Sequence, residues 1–342
     1  MEQHELKEGR LLSYEGNLNE VGFAYSLVKK YRRKDIVFRK NKIKEWDYYA
    51  IMNENYAIAF TISDLTLFGL VSVSVIDLVK KRFKTLSKVK MFTRGKLNLP
   101  PSSDNGDVSF ESKDFKLKFL NDGNKREIKG YITNFYNTKD LDFDIILSET
   151  SMNSMVIVTP FSKKGQFYYN QKINNLIANG YFKIGNKLHS IKDNMGVLDW
   201  GRGVWPHKVT WYWASCSSKD EMGNYVGFNL GYGFGDTSKA SENMLFVNEN
   251  AYKFNDVKFY FKQGRRKKDI DYSGDIKMYS ESNDINLVFT PIVDRNENTI
   301  TPIASTYQHQ IFGKYNGTFK VGESTYFIRD AYGFIEKVKN KW

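Results

Sequence analysis

Several residue types are scarce in this chain: among 342 residues there are one cysteine, six prolines and four histidines. The lone thiol, Cys216, cannot close an intramolecular disulfide, and the run Met1 to Glu8 has no apolar signal core, so a cytoplasmic protein is expected. His4, His189, His207 and His309 are scattered, with no CxxC, HExxH or EF-hand spacing, and no metal site is expected. The pieces Gly201-Arg202-Gly203 and Gly231-Tyr232-Gly233-Phe234-Gly235 fit neither a phosphate-binding loop nor a dinucleotide fingerprint, so no cofactor is expected either. Long lipid-like runs are also missing. The most apolar stretch, Ala57 to Val79, is interrupted by Asp64 and Asp77, and the segment between them is too short to span a bilayer as a helix.

What the chain has in surplus is aromatic residues, 15% of the total, which with few prolines favours strands. Alternation of period two recurs. Phe115, Leu117 and Phe119 alternate with Lys116, Lys118 and Leu120; Val257, Phe259 and Phe261 alternate with Lys258, Tyr260 and Lys262; Ile285, Leu287 and Phe289 repeat the pattern. Asn105-Gly106, Asp122-Gly123, Asn179-Gly180 and Asn316-Gly317 supply the positive-φ residues of tight hairpins. The best helical segment is Val75 to Leu86, with imperfect spacing. The fold class is therefore all-β, a sandwich or barrel. Length favours two domains. The most polar interruption, Gly235 to Ser241, sets the expected division at 1–240 and 241–342.

Lysine and arginine exceed aspartate and glutamate by 51 to 39, a net charge of +12. The excess is concentrated in Lys29-Lys30-Tyr31-Arg32-Arg33-Lys34, Lys80-Lys81-Arg82 and Arg265-Arg266-Lys267-Lys268. These clusters are far apart and resemble turns or strand ends, where basic residues guard sheet edges, so a nucleic-acid partner is not expected. Contact with an anionic membrane surface fits better, because a protein handling apolar molecules must collect them from lipid.

Chemistry concentrates in Leu198 to Cys216, which holds Trp200, Trp205, Trp211 and Trp213, four of the six tryptophans. If 196–202 is a strand, Val197, Asp199 and Gly201 share one face, and Leu198, Trp200 and Arg202 the other. Gly203 to Pro206 then reads as a turn, with the returning strand placing Trp211, Trp213 and Ser215 together. Such a hairpin gathers an acid, an imidazole and large rings around one cavity. Asn229, between Gly227 and Gly231, belongs to the next strand, where glycines leave room for a ligand. The competing reading is architectural: tryptophans as core, Asp199 and Arg202 as an ion pair, His207 as a hydrogen-bonded structural residue and Cys216 as an inert buried thiol.

These residues resemble the bacterial domain-of-unknown-function family 2804, and more distantly the two-barrel lipocalin-like proteins that include carotenoid hydratases and tocopherol cyclases. The resemblance rests on Lys44-Glu45-Trp46-Asp47-Tyr48-Tyr49, Thr61-Ile62-Ser63-Asp64, Phe167-Tyr168-Tyr169-Asn170-Gln171-Lys172, Leu198 to Pro206, Trp211-Tyr212-Trp213-Ala214-Ser215, Gly227-Phe228-Asn229-Leu230-Gly231, Ser241-Glu242-Asn243, Phe312 to Gly317 and Gly333-Phe334-Ile335-Glu336. It implies two lipocalin-like antiparallel barrels packed together. It further implies an apolar cavity in which a carboxylic acid protonates an alkene while aromatic faces stabilise the cation. On that reading Asp199, His207 and Arg202 are the catalytic candidates. Trp46, Tyr168, Tyr169, Lys172, Trp200, Trp205, Trp211, Trp213, Asn229 and Glu242 bind a hydrophobic substrate. Function does not follow from fold, so three readings stay open. They are a cofactor-free hydratase, isomerase or cyclase of an isoprenoid or lipid-like molecule, a non-catalytic carrier of such a molecule, and a glycan-binding protein.

Overall fold

The computed structural model describes residues 2–266, 269–300 and 305–341; Lys267 and Lys268 of the third basic cluster lie outside them. Among the described residues, two curved antiparallel sheets account for most of the chain, one of twelve strands and one of nine. The all-β expectation holds. No helix among the described residues is long and apolar enough to cross a membrane.

The first sheet runs from the edge strand Arg82–Met91 through Phe68–Asp77, Tyr56–Asp64, Ile43–Met52 and Lys187–Val204 to Phe167–Ile184. Beyond that strand it continues to Lys139–Ser148 and a further meander. The second is centred on Lys208–Lys219, Ser324–Lys341, Ser305–Val321 and Ile285–Ile300. Alternation assigns each side chain a face. Tyr49, Phe60, Phe143, Leu198 and Trp200 belong to the core of the first sheet, and Ala214, Phe228, Phe289, Tyr315 and Ile335 to that of the second. Each of the leucine, isoleucine and phenylalanine side chains among them, removed from water, contributes roughly 1.5–3 kcal/mol. The opposite faces meet in a third layer that includes Tyr48, Trp213, Phe312 and Phe334.

The eighteen-residue strand Phe167–Ile184 bends at two register shifts against its neighbour Lys187–Val204. At the first shift Asn174 reaches across to the second sheet, donating to Ser215 Oγ at 2.9 Å and to the carbonyls of Cys216 and Phe228 at 3.0 Å. This clip fixes one sheet on the other. At the second, Gly180 has φ +137, and a Cβ there would lie 2.1 Å from the Asp144 carbonyl oxygen. Gly317 does the same in Ser305–Val321, at φ +143. Asn179-Gly180 and Asn316-Gly317 are thus bulges inside long strands rather than hairpin turns. Asp122-Gly123 does join the paired strands Phe115–Asn121 and Arg126–Tyr136.

Two local expectations are corrected. Val75 to Leu86 is not helical; it spans the end of Phe68–Asp77, a tight turn and the start of Arg82–Met91. Lys187–Val204 and Lys208–Lys219 do not form a hairpin: the chain leaves the first sheet after Val204 and enters the second at Lys208. The division expected at residue 240 therefore does not coincide with this change of sheet. The polar run from Gly235 to Ser241 is a connection within the second sheet, and its end turns inward, so that Ser241, Glu242 and Asn243 are buried.

Candidate active site

Between the two sheets lies a cavity of about 700 Å³. Cross-strand register builds its first wall. Trp46 opposes Ser63, Ser63 opposes Leu70 and Leu70 opposes Val89; one step along, Tyr48, Thr61, Ser72 and Ser87 form a parallel row. The second wall comes from Trp211 and Trp213 and from Glu336 and Val338 on the neighbouring strand. Trp205 and Phe234 close one end, where Trp205 meets Trp46 edge-on at 4.8 Å and Phe234 at 4.6 Å. Gly201 is required here because it opposes Trp46: a Cβ would sit 1.9 Å from Trp46 Cζ2, so the indole can lie across the strand only over a glycine.

Register also places Lys172 directly opposite Asp199. Lys172 Nζ is 2.8 Å from Asp199 Oδ1, and Asn170 Nδ2 donates to the same oxygen at 2.6 Å. The ammonium lies 3.8 Å from the ring centroid of Trp213, a cation–π contact. Asp199 is therefore the anionic half of a buried ion pair.

Two further carboxyl groups line the cavity. Burial pushes Glu336 up to about 7, opposed by Arg295 and Lys172 and reinforced by the negative charge of Asp199. Gln310 Nε2 donates to Glu336 Oε1 at 2.5 Å and to Tyr48 Oη at 2.8 Å, which orients the acid. Burial also raises Glu242, with Lys172 and a hydrogen bond from Asn229 working against it. Asn229 links wall and acid, accepting from Trp213 Nε1 at 2.6 Å and donating to the Glu242 carbonyl at 2.7 Å. Gly231 leaves the space that the Glu242 carboxyl occupies; a Cβ there would lie 2.6 Å from Oε1.

Of the residues singled out in the sequence, Asp199, Trp46, Tyr168, Lys172, Trp205, Trp211, Trp213 and Glu242 line this cavity, and Asn229 supports it from behind. Tyr169, Trp200 and Arg202 do not reach it. Their strand positions turn them into the core of the first sheet, where Tyr169 Oη donates to the Lys29 carbonyl at 2.8 Å and Trp200 packs edge-on against Tyr169 and Tyr31. Arg202 is wholly buried there. It donates to Asp47 Oδ1 at 2.8 Å and to the Pro100 carbonyl at 2.7 Å, and stacks on Trp200, so its carboxylate partner is Asp47 rather than Asp199. His207 is exposed on the connection between the sheets and is not part of the cavity wall. The residue that sequence reading missed is Glu336. It shares a strand face with Phe334 and Val338, and an acid between two core-facing apolar positions was the available signal.

An AttH-like protein of Nitrosomonas europaea has a similar fold, with a TM-score of 0.54 at 12% identity over 90% of this chain and 96% of that one. Kievitone hydratase of Nectria haematococca aligns over 98% of both chains at 12% identity and a TM-score of 0.49. CghA aligns over 97% of both at 8% identity and a TM-score of 0.44. At these identities the first likeness shows the fold, and activity has to be argued from the site. No curated protein matches the sequence. The family model described as a domain of unknown function, DUF2804, matches residues 3–342, and the chain belongs to that family.

Proposed function

We propose that this chain is a cofactor-free acid–base enzyme of the hydratase, isomerase or cyclase type, acting on an unsaturated isoprenoid or lipid-like molecule held between its two sheets. The observation that carries this reading is Glu336, a buried carboxyl raised to about 7 in an aromatic-walled cavity opposite an ion-paired carboxylate. An acid with that value is partly protonated at neutral pH and is still strong enough to give its proton up.

Glu336 rather than Asp199 is the donor in this reading, because Asp199 is already committed to Lys172. Proton transfer breaks the carboxyl O–H bond, spends the alkene π pair on a new C–H bond and leaves a carbocation. The ring of Trp211, which lines the cavity, offers it a negatively polarised face worth roughly 1–2 kcal/mol when water is excluded, whereas Asp199 and the Trp213 face are already engaged by Lys172. Attack by water with return of a proton to Glu336 is hydration. Loss of a neighbouring proton to the Glu336 carboxylate is isomerisation, and attack by an internal double bond, which moves the cation to a new carbon that then loses a proton to the same carboxylate, is cyclisation.

The test is incubation of the protein with a set of unsaturated isoprenoids and fatty acids, followed by mass spectrometry of wild type and Glu336→Gln. Conversion by wild type but not by Glu336→Gln supports the proposal, and equal conversion by both overturns the assignment of Glu336. A ligand that binds stoichiometrically and is recovered unchanged supports the carrier reading, which the same cavity volume also suits. Glycan binding is less well served. Trp205 and Trp213 are packed edge-on by Phe234 and Phe334 instead of presenting open stacking faces.

A further inference from the structure

The cavity wall does not end in the core. Along the row Trp46, Ser63, Leu70, Val89 it runs outward to the edge strand Arg82–Met91, where Val89 is 58% and Met91 53% exposed although both line the cavity. Phe92, in the turn that follows, is 56% exposed. Among the described residues, the cavity thus reaches the surface at a cluster of exposed apolar side chains on a strand that ends the first sheet.

Along this edge the chain itself carries charge of one sign, with Glu297 an acid that lines the cavity from the facing sheet. From Lys80 to Lys96 the sequence holds Lys80, Lys81, Arg82, Lys84, Lys88, Lys90, Arg94 and Lys96, with no aspartate or glutamate. Lys88 is met by Asp114 at 2.5 Å and Arg82 by Asp77 at 3.6 Å. Lys84, Lys90, Arg94 and Lys96 are exposed. Lysines alone are explained as edge guards against strand pairing. Guarding does not call for Val89, Met91 and Phe92 to stand uncovered among them. Apolar side chains set in a basic surface are the composition that seats in the headgroup layer of an anionic bilayer, where basic residues near the surface are drawn to the anionic lipid.

We infer that the edge strand Arg82–Met91 and the turn after it form a docking surface for anionic lipid bilayers, which sets the cavity mouth against the membrane so that an apolar ligand passes between the two without crossing water. The inference stands on the mouth and its charge, and it holds whether the ligand is transformed or only carried.

The experiment is flotation of the full-length protein with phosphatidylcholine vesicles and with phosphatidylcholine–phosphatidylserine vesicles at low and high salt. The variant is Lys84→Glu/Lys90→Glu, whose positions lie outside the cavity wall. Wild type is expected to float with the phosphatidylserine vesicles at low salt and to be released by salt, and the variant to bind at least tenfold more weakly with an unchanged circular dichroism spectrum. Absence of wild-type binding at low salt overturns the inference, as does equal binding by the variant. So does a solution dimer of wild type that the variant breaks, which would assign the edge to a second copy of the chain. Conversion of detergent-dispersed substrate by the variant at the wild-type rate, with vesicle binding lost, separates docking from chemistry.

Discussion

Lys172 and Asp199 face each other across two adjacent strands of the first sheet, 2.8 Å apart, with the lysine ammonium seated over Trp213 of the second. One lysine thus neutralises the carboxylate and touches the opposite wall, coupling the electrostatics of the cavity to the packing of the two sheets. Breaking such a buried pair from one side leaves a charge without a counter-ion, whereas removing both leaves none. Lys172→Met is expected to destabilise the fold by about 3–5 kcal/mol, and Lys172→Met/Asp199→Asn by clearly less than the sum of the single changes. Urea denaturation of the four-member cycle measures this, and additivity would contradict the pairing.

Glu336 makes stability depend on pH. Its folded value of about 7 lies above the ordinary 4.5, so between these values the folded chain holds a proton that the unfolded chain has released. The contribution is fully present below pH 4.5 and is lost as pH rises through 7, by up to roughly 3 kcal/mol. Glu242, also raised by burial, acts in the same direction. Melting temperatures of wild type are expected to fall more steeply over this window than those of Glu336→Gln. Equal slopes would show that Glu336 does not hold the proton.

In catalysis the same proton is the reagent. Turnover by wild type is expected to decline as pH rises above 7, and Glu336→Gln to lower kcat by about 10²- to 10⁴-fold with little change in ligand affinity. Titration of ligand followed by tryptophan fluorescence, beside steady-state rates, separates the two effects.

Gly201 makes room for Trp46, and any side chain there displaces the indole. Gly201→Ala is expected to weaken ligand binding by at least tenfold. Gly203→Ala, whose Cβ would meet the Phe167 carbonyl oxygen at 2.4 Å, should act mainly on stability. Isothermal titration and thermal melts of the two variants make the comparison, and intact binding by Gly201→Ala would remove Trp46 from the ligand site.

Gly317→Ala tests the bulge in Ser305–Val321. Its φ of +143 and a Cβ 2.0 Å from the Asn286 carbonyl oxygen predict a loss of about 1–3 kcal/mol, measured by chemical denaturation. Gly322→Ala, at φ +58 in an open turn, should cost less because no atom lies within 4 Å of its Cβ.

Local alternation was enough to determine much of this protein. It separated Asp199 from Trp200 and Arg202, put Trp211 and Trp213 on one face and made the chain all-β, because side-chain direction along a strand is set by backbone geometry within a few residues. It was equally misleading where spacing looked like a turn: Asn179-Gly180 and Asn316-Gly317 carry the positive φ of a hairpin but use it to bend continuous strands. Only the tertiary structure decided which faces meet. Lys172 reaches Asp199 through strand register, Arg202 turns to Asp47, the chain changes sheet between Val204 and Lys208, and Glu336 arrives at the cavity from the last strand of the chain. Register and sheet-on-sheet packing follow from burial summed over whole faces. No single segment carries that sum: Phe334 and Val338 mark Glu336 as core-facing, but only the packing of one sheet on the other brings it to the cavity.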